Sequence, residues 1–137
     1  MTNIDPQIVR HLLLRFCLGF ILVWFGTQQL VNPGEWTGFV PEFVSSHSPV
    51  SGVGLILAHG ALLLLSGIGI SFGVFPKSAS LLAAALLLEI IVVLFLKGNS
   101  GGLIVRDVGL LGMAVVLTID RFQVFMVRFP QILPQRS

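Results

Sequence analysis

Apolar residues in this chain run in long blocks, and polar residues interrupt the blocks instead of alternating with apolar ones inside them. Four blocks stand out, from about Ile8 to Val31, Val50 to Phe75, Ser80 to Leu96 and Leu103 to Val127. At about 1.5 Å per residue each has roughly the length needed to cross a hydrocarbon layer about 30 Å thick. Membrane strands would read as segments of about ten residues with strict alternation, so the blocks predict helices. The interruptions carry helix punctuation. Asp5-Pro6 has the form of a cap followed by proline at the first helical position, and Asn32-Pro33-Gly34-Glu35 repeats that form with an acidic residue three places after the cap. Trp36, Phe39, Val40 and Phe43 then recur at near-helical spacing, broken by Pro41. This predicts a short aromatic segment at the membrane surface, serving as an anchor or as a lid. Pro76-Lys77-Ser78 predicts a tight turn, and Lys97 to Gly102 a loop into the last block.

Composition narrows the class. The 137 residues are 55% hydrophobic and 10% charged, with a mean hydropathy of +0.97, which does not suit a water-exposed surface. The expected fold is all-α: an integral membrane four-helix bundle formed by residues 1–137 as a single transmembrane domain, with a short interfacial segment between helices 1 and 2. The lipid bilayer is its first partner, and a multi-pass place in the cell membrane follows. The net charge of +2 comes from basic residues at block ends, so nucleic acid is not an expected partner. Arg10, Arg15, Lys77, Arg121, Arg128 and Arg136 fall at the end shared by the termini, against Lys97 and Arg106 at the other. That bias places both termini in the cytoplasm. The first block shows no small-residue cleavage site and is expected to be a retained span. Lone Cys17 excludes an intrachain disulfide and is expected to pack within a helix. In the second block Gly60, Gly67 and Ser71 share one face, as do Gly52, His59, Ser66 and Gly73, so a neighbouring helix is expected close by.

The candidate chemistry lies in the polar residues inside the blocks. Measured from the outer ends, His59 and Glu89 both fall roughly 12 to 14 Å deep. Arg106 and Asp107 lie a few residues below the outer end of the fourth block, and Gln28 and Gln29 just under that of the first. All four helices thus send a polar group into the outer half, and the inner half is expected to hold almost none. An unpaired ionisable group at such depth costs at least about 2.5 to 3.5 kcal/mol, so these residues should face one another. The expected pairing is Arg106 with Glu89, with Asp107 near His59 or Gln28, because consecutive residues point about 100° apart on a helix. Each group also has a structural role open to it. Glu89 could be a neutral acid donating between helices, His59 a packing histidine, and Arg106 a staple. His11, His47 and His59 lack metal-ligand spacing, and Gly98 to Gly102 lacks the residues of a phosphate loop, so no metal site is expected.

Arg15-x3-Gly19-x6-Gly26, Asn32-Pro33-x2-Trp36 with Val40-Pro41, Gly60-x6-Gly67-x-Gly69, and Arg106-Asp107-x-Gly109-Leu110 together resemble the DoxX family, small four-helix membrane proteins related to a subunit of thiosulfate:quinone oxidoreductase. In that family the position of His59 is often a carboxylate. The resemblance implies a redox-associated accessory subunit working beside another redox protein or membrane subunit, or with a second copy of itself. Two readings follow. In one, an outer-leaflet pocket of Gln28, His59, Glu89, Arg106 and Asp107, covered by Trp36 and Phe39, binds a quinone or similar small amphiphile, and no cofactor is bound covalently. In the other, the same residues only hold helices together in a non-catalytic assembly or scaffold protein. A transporter is disfavoured, because no polar track continues through the inner half.

Overall fold

The computed structural model describes residues 5–98 and 101–119, and every regular element among them is helical. The order is α1 (Pro6–Val31), α2 (Pro33–Trp36), a 3-10 turn (Thr37–Phe39), α3 (Glu42–His47), α4 (Gly52–Phe72), α5 (Pro76–Leu96) and α6 (Gly102–Ile119). Helices α1, α4, α5 and α6 are long and apolar enough to cross a membrane, the make-up of a multi-pass membrane protein. The expected continuation of the last span to Val127, the basic residues Arg121, Arg128 and Arg136, and the tail after Pro130 lie outside the described residues.

Local chemistry sets the helix ends. Asp5 caps α1, its carboxylate accepting from the Gln7 N–H at 2.9 Å, with Pro6 at the first position where no N–H is needed. Ser51 caps α4 through the Gly54 N–H at 3.2 Å. Asn32 was expected to cap in the same way, but its side chain makes no capping bond; the Glu35 N–H reaches the Asn32 carbonyl instead. The reversal between α4 and α5 also differs from expectation. It turns at Gly73 and Phe75, both left-handed at φ 71° and 47°, and Pro76 opens α5 as its first residue. The tight turn therefore precedes Pro76, and α5 begins four residues before Ser80, because proline suits the first turn of a helix better than the turn before it.

Helix α1 packs along α4, α5 along α6, α4 against α5, and α1 touches α6 over a smaller area. Leu18, Leu22, Leu63, Ile70, Leu87 and Ala114 lie in the shared core. Phe20, Phe95 and Val105 point outward, more than two-thirds exposed, which fits chains that meet lipid. Cys17 also lies on the exposed side of α1 and packs into no core. The closest contact is that of α1 with α4. A Cβ on Gly26 would stand 2.7 Å from the Gly60 carbonyl oxygen, and one on Gly67 would stand 2.9 Å from the Gly19 carbonyl oxygen. The small-residue face of the second block is thus used inside the chain, on α1.

The end that carries the α4–α5 turn is more polar than expected. His11, Arg15, Ser66 and Ser80 are buried there. Arg15 Nε donates to the Ile70 carbonyl at 2.8 Å, placing a cation on the last turn of α4, where free carbonyls and the helix dipole favour one. A Cβ on Gly73 would run into the Arg15 guanidinium, 3.2 Å from its Cζ. Thr118 Oγ1 donates to Ser80 Oγ at 3.2 Å, tying α6 to α5. The inner half was read as nearly apolar because Arg15 was assigned to the membrane border; its long side chain instead reaches inward to the end of α4.

Gly26→Ala is expected to destabilise the protein by about 1–3 kcal/mol, since backbone atoms must separate to admit the methyl. Gly109→Ala, with nothing within 4 Å of the new Cβ, should be neutral or stabilising by up to about 1 kcal/mol. Thermal unfolding of the two variants in one detergent checks the contrast.

Candidate functional site

At the other end of the molecule, where α2, the 3-10 turn and α3 lie, all four long helices contribute polar side chains. The sequence places Gln29 and Phe25 one turn apart on α1, His59 on α4, Glu89 on α5, and Arg106 and Asp107 on α6. Burial on α1 passes through Arg15, Leu18, Gly19, Leu22, Gly26 and Gln29, spacings of three and four that keep one face inward. Gln29 is on that face, 4% exposed. Gln28, the expected contributor, is rotated about 100° away and only half-buried. The same spacing was readable in the sequence and identifies Gln29 as the inward amide.

His59 Nδ1 meets Gln29 Oε1 at 2.8 Å. An amide oxygen only accepts, so Nδ1 carries the hydrogen and a neutral ring keeps its lone pair on Nε2. The contact depends on glycine, because a Cβ at position 60 would stand 2.8 Å from Gln29 Cβ. On its other side His59 Nε2 lies 3.8 Å from Glu89 Oε2, beyond hydrogen-bond length. The Glu89 side chain is 61% exposed on the outer side of α5, so it rims the polar layer and does not fill it.

Arg106 and Glu89 do not pair. Arg106 Nε donates to Asp107 Oδ1 at 2.8 Å, and the two form an ion pair between consecutive residues. The 100° between adjacent helix positions fixes where the Cα–Cβ bonds point, but arginine's three-methylene stem is long enough to bend back. Asp107 points inward, its side chain 2% exposed, while Arg106 stands 39% exposed above it. Neither expected neighbour of Asp107, His59 or Gln28, is its hydrogen-bond partner; Arg106 is. The Arg106 guanidinium also covers the Phe25 ring, 4.6 Å from its centre, which links α6 to α1.

The aromatic segment closes over this end. Trp36 meets Phe25 edge-on at 5.9 Å, and Phe39 lies 5.8 Å from Trp36. Lys97, at the end of α5, donates to the Gly38 carbonyl and ties the segment to the far side of the bundle end. Phe25 was not singled out in the sequence, and Lys97 only as a loop end and an outer basic residue. Phe25 carried only the weak signal of standing four residues before Gln29, and the Lys97 contact joins residues far apart in the chain. A groove of about 570 Å³ between Val40, Pro41, Phe43 and Lys97 opens beside the polar layer and not onto it.

Two buried polar atoms at this end have no hydrogen-bond partner among the described residues, His59 Nε2 and Asp107 Oδ2. Buried polar groups are usually satisfied, and each one left over costs about 1–3 kcal/mol.

His59→Leu is expected to destabilise the protein by about 1–3 kcal/mol, because it strands the buried Gln29 amide. The double variant Gln29→Leu/His59→Leu should recover part of that loss, and unfolding in a common detergent should show a coupling of about 0.6–1.7 kcal/mol, the range of hydrogen bonds between membrane helices. No family model, no curated protein and no solved structure matches this chain.

Proposed function

We propose that this chain is a DoxX-like four-helix membrane bundle, with both termini in the cytoplasm, and that its outer polar layer binds the head of a quinone or similar small amphiphile for a redox partner. The observation that carries this reading is the pair of unpartnered buried atoms, His59 Nε2 and Asp107 Oδ2, in a layer to which every long helix contributes. An aromatic head group fits the setting. Phe25 and Trp36 offer ring faces and edges for stacking, and Arg106, Asp107 and His59 offer polar contacts at the ring's rim. The apolar tail of such a ligand would stay in the lipid that surrounds the exposed side of α5.

Within this layer the residues divide the work. Gln29 holds the His59 ring in one tautomer and orientation, Arg106 pairs with Asp107, and Trp36 and Phe39 cover the end against water. A His and a carboxylate facing a ring hydroxyl can accept or return its protons, which is what an accessory subunit contributes when electrons are handled by a partner. The residues that position the site also hold the helices together, so the assembly reading shares the Gln29–His59 contact. It gives no reason for the two unpartnered atoms.

Organic extraction of the protein, purified from its membrane in mild detergent, should release a quinone-type molecule in stoichiometric amount. His59→Ala and Glu89→Gln variants that remain folded are expected to retain about tenfold less. Unchanged retention in both would favour the scaffold reading.

A further inference from the structure

Among the described residues the four long helices carry two acidic side chains, and these are placed in opposite ways: Asp107 is buried beside Arg106, whereas Glu89 is 61% exposed. Glu89 faces outward, where a membrane puts lipid. It stands seven residues before the end of α5 at Leu96, roughly 10 Å below that end at about 1.5 Å per residue. Side chains on a helix lean toward its N-terminus, which for α5 is the far side of the membrane, so Glu89 is turned away from the nearer surface. His59 Nε2 lies 3.8 Å from its Oε2, too far for a hydrogen bond, and Nε2 is itself unsatisfied. Ionised or neutral, a carboxyl group that meets hydrocarbon without a partner is costly, and in spanning helices such groups almost always face protein.

The surface around Glu89 is incompletely filled. Leu82 and Glu89 stand seven residues apart on one face of α5, as His59 and Ser66 do on α4. Leu82 and Ser66 line a cleft of about 380 Å³ between the two helices, so the cleft and the Glu89–His59 contact lie along one α4–α5 seam. One turn from Glu89 stands Ala85, exposed and small enough for another helix backbone to come close. Leu88 and Phe95 lie about 100° or more round the helix from Glu89, so a helix seated on Ala85 and Glu89 leaves that side of α5 to lipid.

We propose that a second copy of this chain packs on this seam, α5 against α5 about a two-fold axis along the membrane normal, with the two Glu89 carboxyl groups hydrogen-bonded to each other. Depth and chemistry select this occupant. A two-fold axis along the normal brings a residue beside it opposite its own copy at the same depth. A carboxyl group is also self-complementary: acid with acid and acid with carboxylate both close a hydrogen bond, and the contact itself disfavours the doubly ionised pair. A lipid chain offers neither donor nor acceptor at this depth. Ala85 of each copy lets the backbones approach, and Glu89 leaves hydrocarbon for protein. The pairing needs no ligand in the polar layer and is independent of the quinone reading.

Oxidative cross-linking of the full chain in phospholipid vesicles tests the face. In a Cys17→Ser background, Ala85→Cys is expected to give a disulfide-linked dimer, because an axis beside residue 85 brings the two Cα atoms within about 7 Å. Val105→Cys, at an outward position of α6, should remain unlinked. Association is read separately by Förster transfer between chains labelled at the lone cysteine, Cys17, which is exposed on α1. Glu89→Leu should weaken association about tenfold, and Glu89→Gln, whose amide also donates and accepts, should hold it near the unaltered level. An unassociated chain, its α5 seam left to lipid or to a different protein, overturns the dimer. Linking at Val105 as readily as at Ala85, or association unaffected by Glu89→Leu, overturns this seam and its carboxyl pair. The cross-linking comparison stands even if Glu89→Leu fails to fold.

Discussion

Helices α1 and α4 approach closely only because Gly26 and Gly60 carry no side chains, and that approach brings the Gln29 amide onto the His59 ring. The order of cause is steric first and polar second. A methyl at position 60 would stand 2.8 Å from Gln29 Cβ, too close for the amide to keep its place on the ring without a shift. Between apolar helices in lipid there is little hydrophobic drive to associate, so backbone proximity and interhelical hydrogen bonds carry the contact. Once the ring is fixed, its second nitrogen is fixed too.

The opposite side of the layer is organised by charge. A carboxylate as buried as Asp107 needs a cation within reach, and the nearest is its own neighbour. By bending back to Asp107, Arg106 also comes to lie on Phe25, and Phe25 supports Trp36. The charge pair, the α1–α6 contact and the covering segment are therefore one connected unit. Lys97 closes it from α5 through Gly38. At the far end Arg15 serves a different purpose, meeting the carbonyls at the end of α4, where a cation is favoured for reasons unrelated to any ligand.

Much of this was legible in the sequence, and what was not has definite physical causes. Block lengths and the Asp5-Pro6, Pro33 and Pro41 signals locate the helices because length, capping and the missing proline N–H act locally. Depth along a helix follows from residue counting, so the gathering of His59, Glu89, Arg106 and the amides at one end could be foreseen. Azimuth and side-chain reach could not. Counting places Gln28 and Gln29 at one level, and only the three-and-four spacing from Arg15 selects Gln29. It likewise gives no account of an arginine folding back on its neighbour, or of Arg15 running inward from the membrane border. Glu89 shares the depth of His59 yet stands at the rim, because its helix presents that position outward.

The central claim is that the layer bounded by His59, Asp107 and the Trp36 segment is a ligand site and not only a helix joint. Photolabelling tests it most directly, with an azido-quinone in nanodiscs, reduced or oxidised, followed by peptide mapping of the attached residues. The account predicts labelling concentrated on the peptides holding His59, Asp107 and Trp36, suppressed by excess unlabelled ligand. Labelling spread over outward positions such as Phe20 and Phe95, and unaffected by competitor, would contradict it.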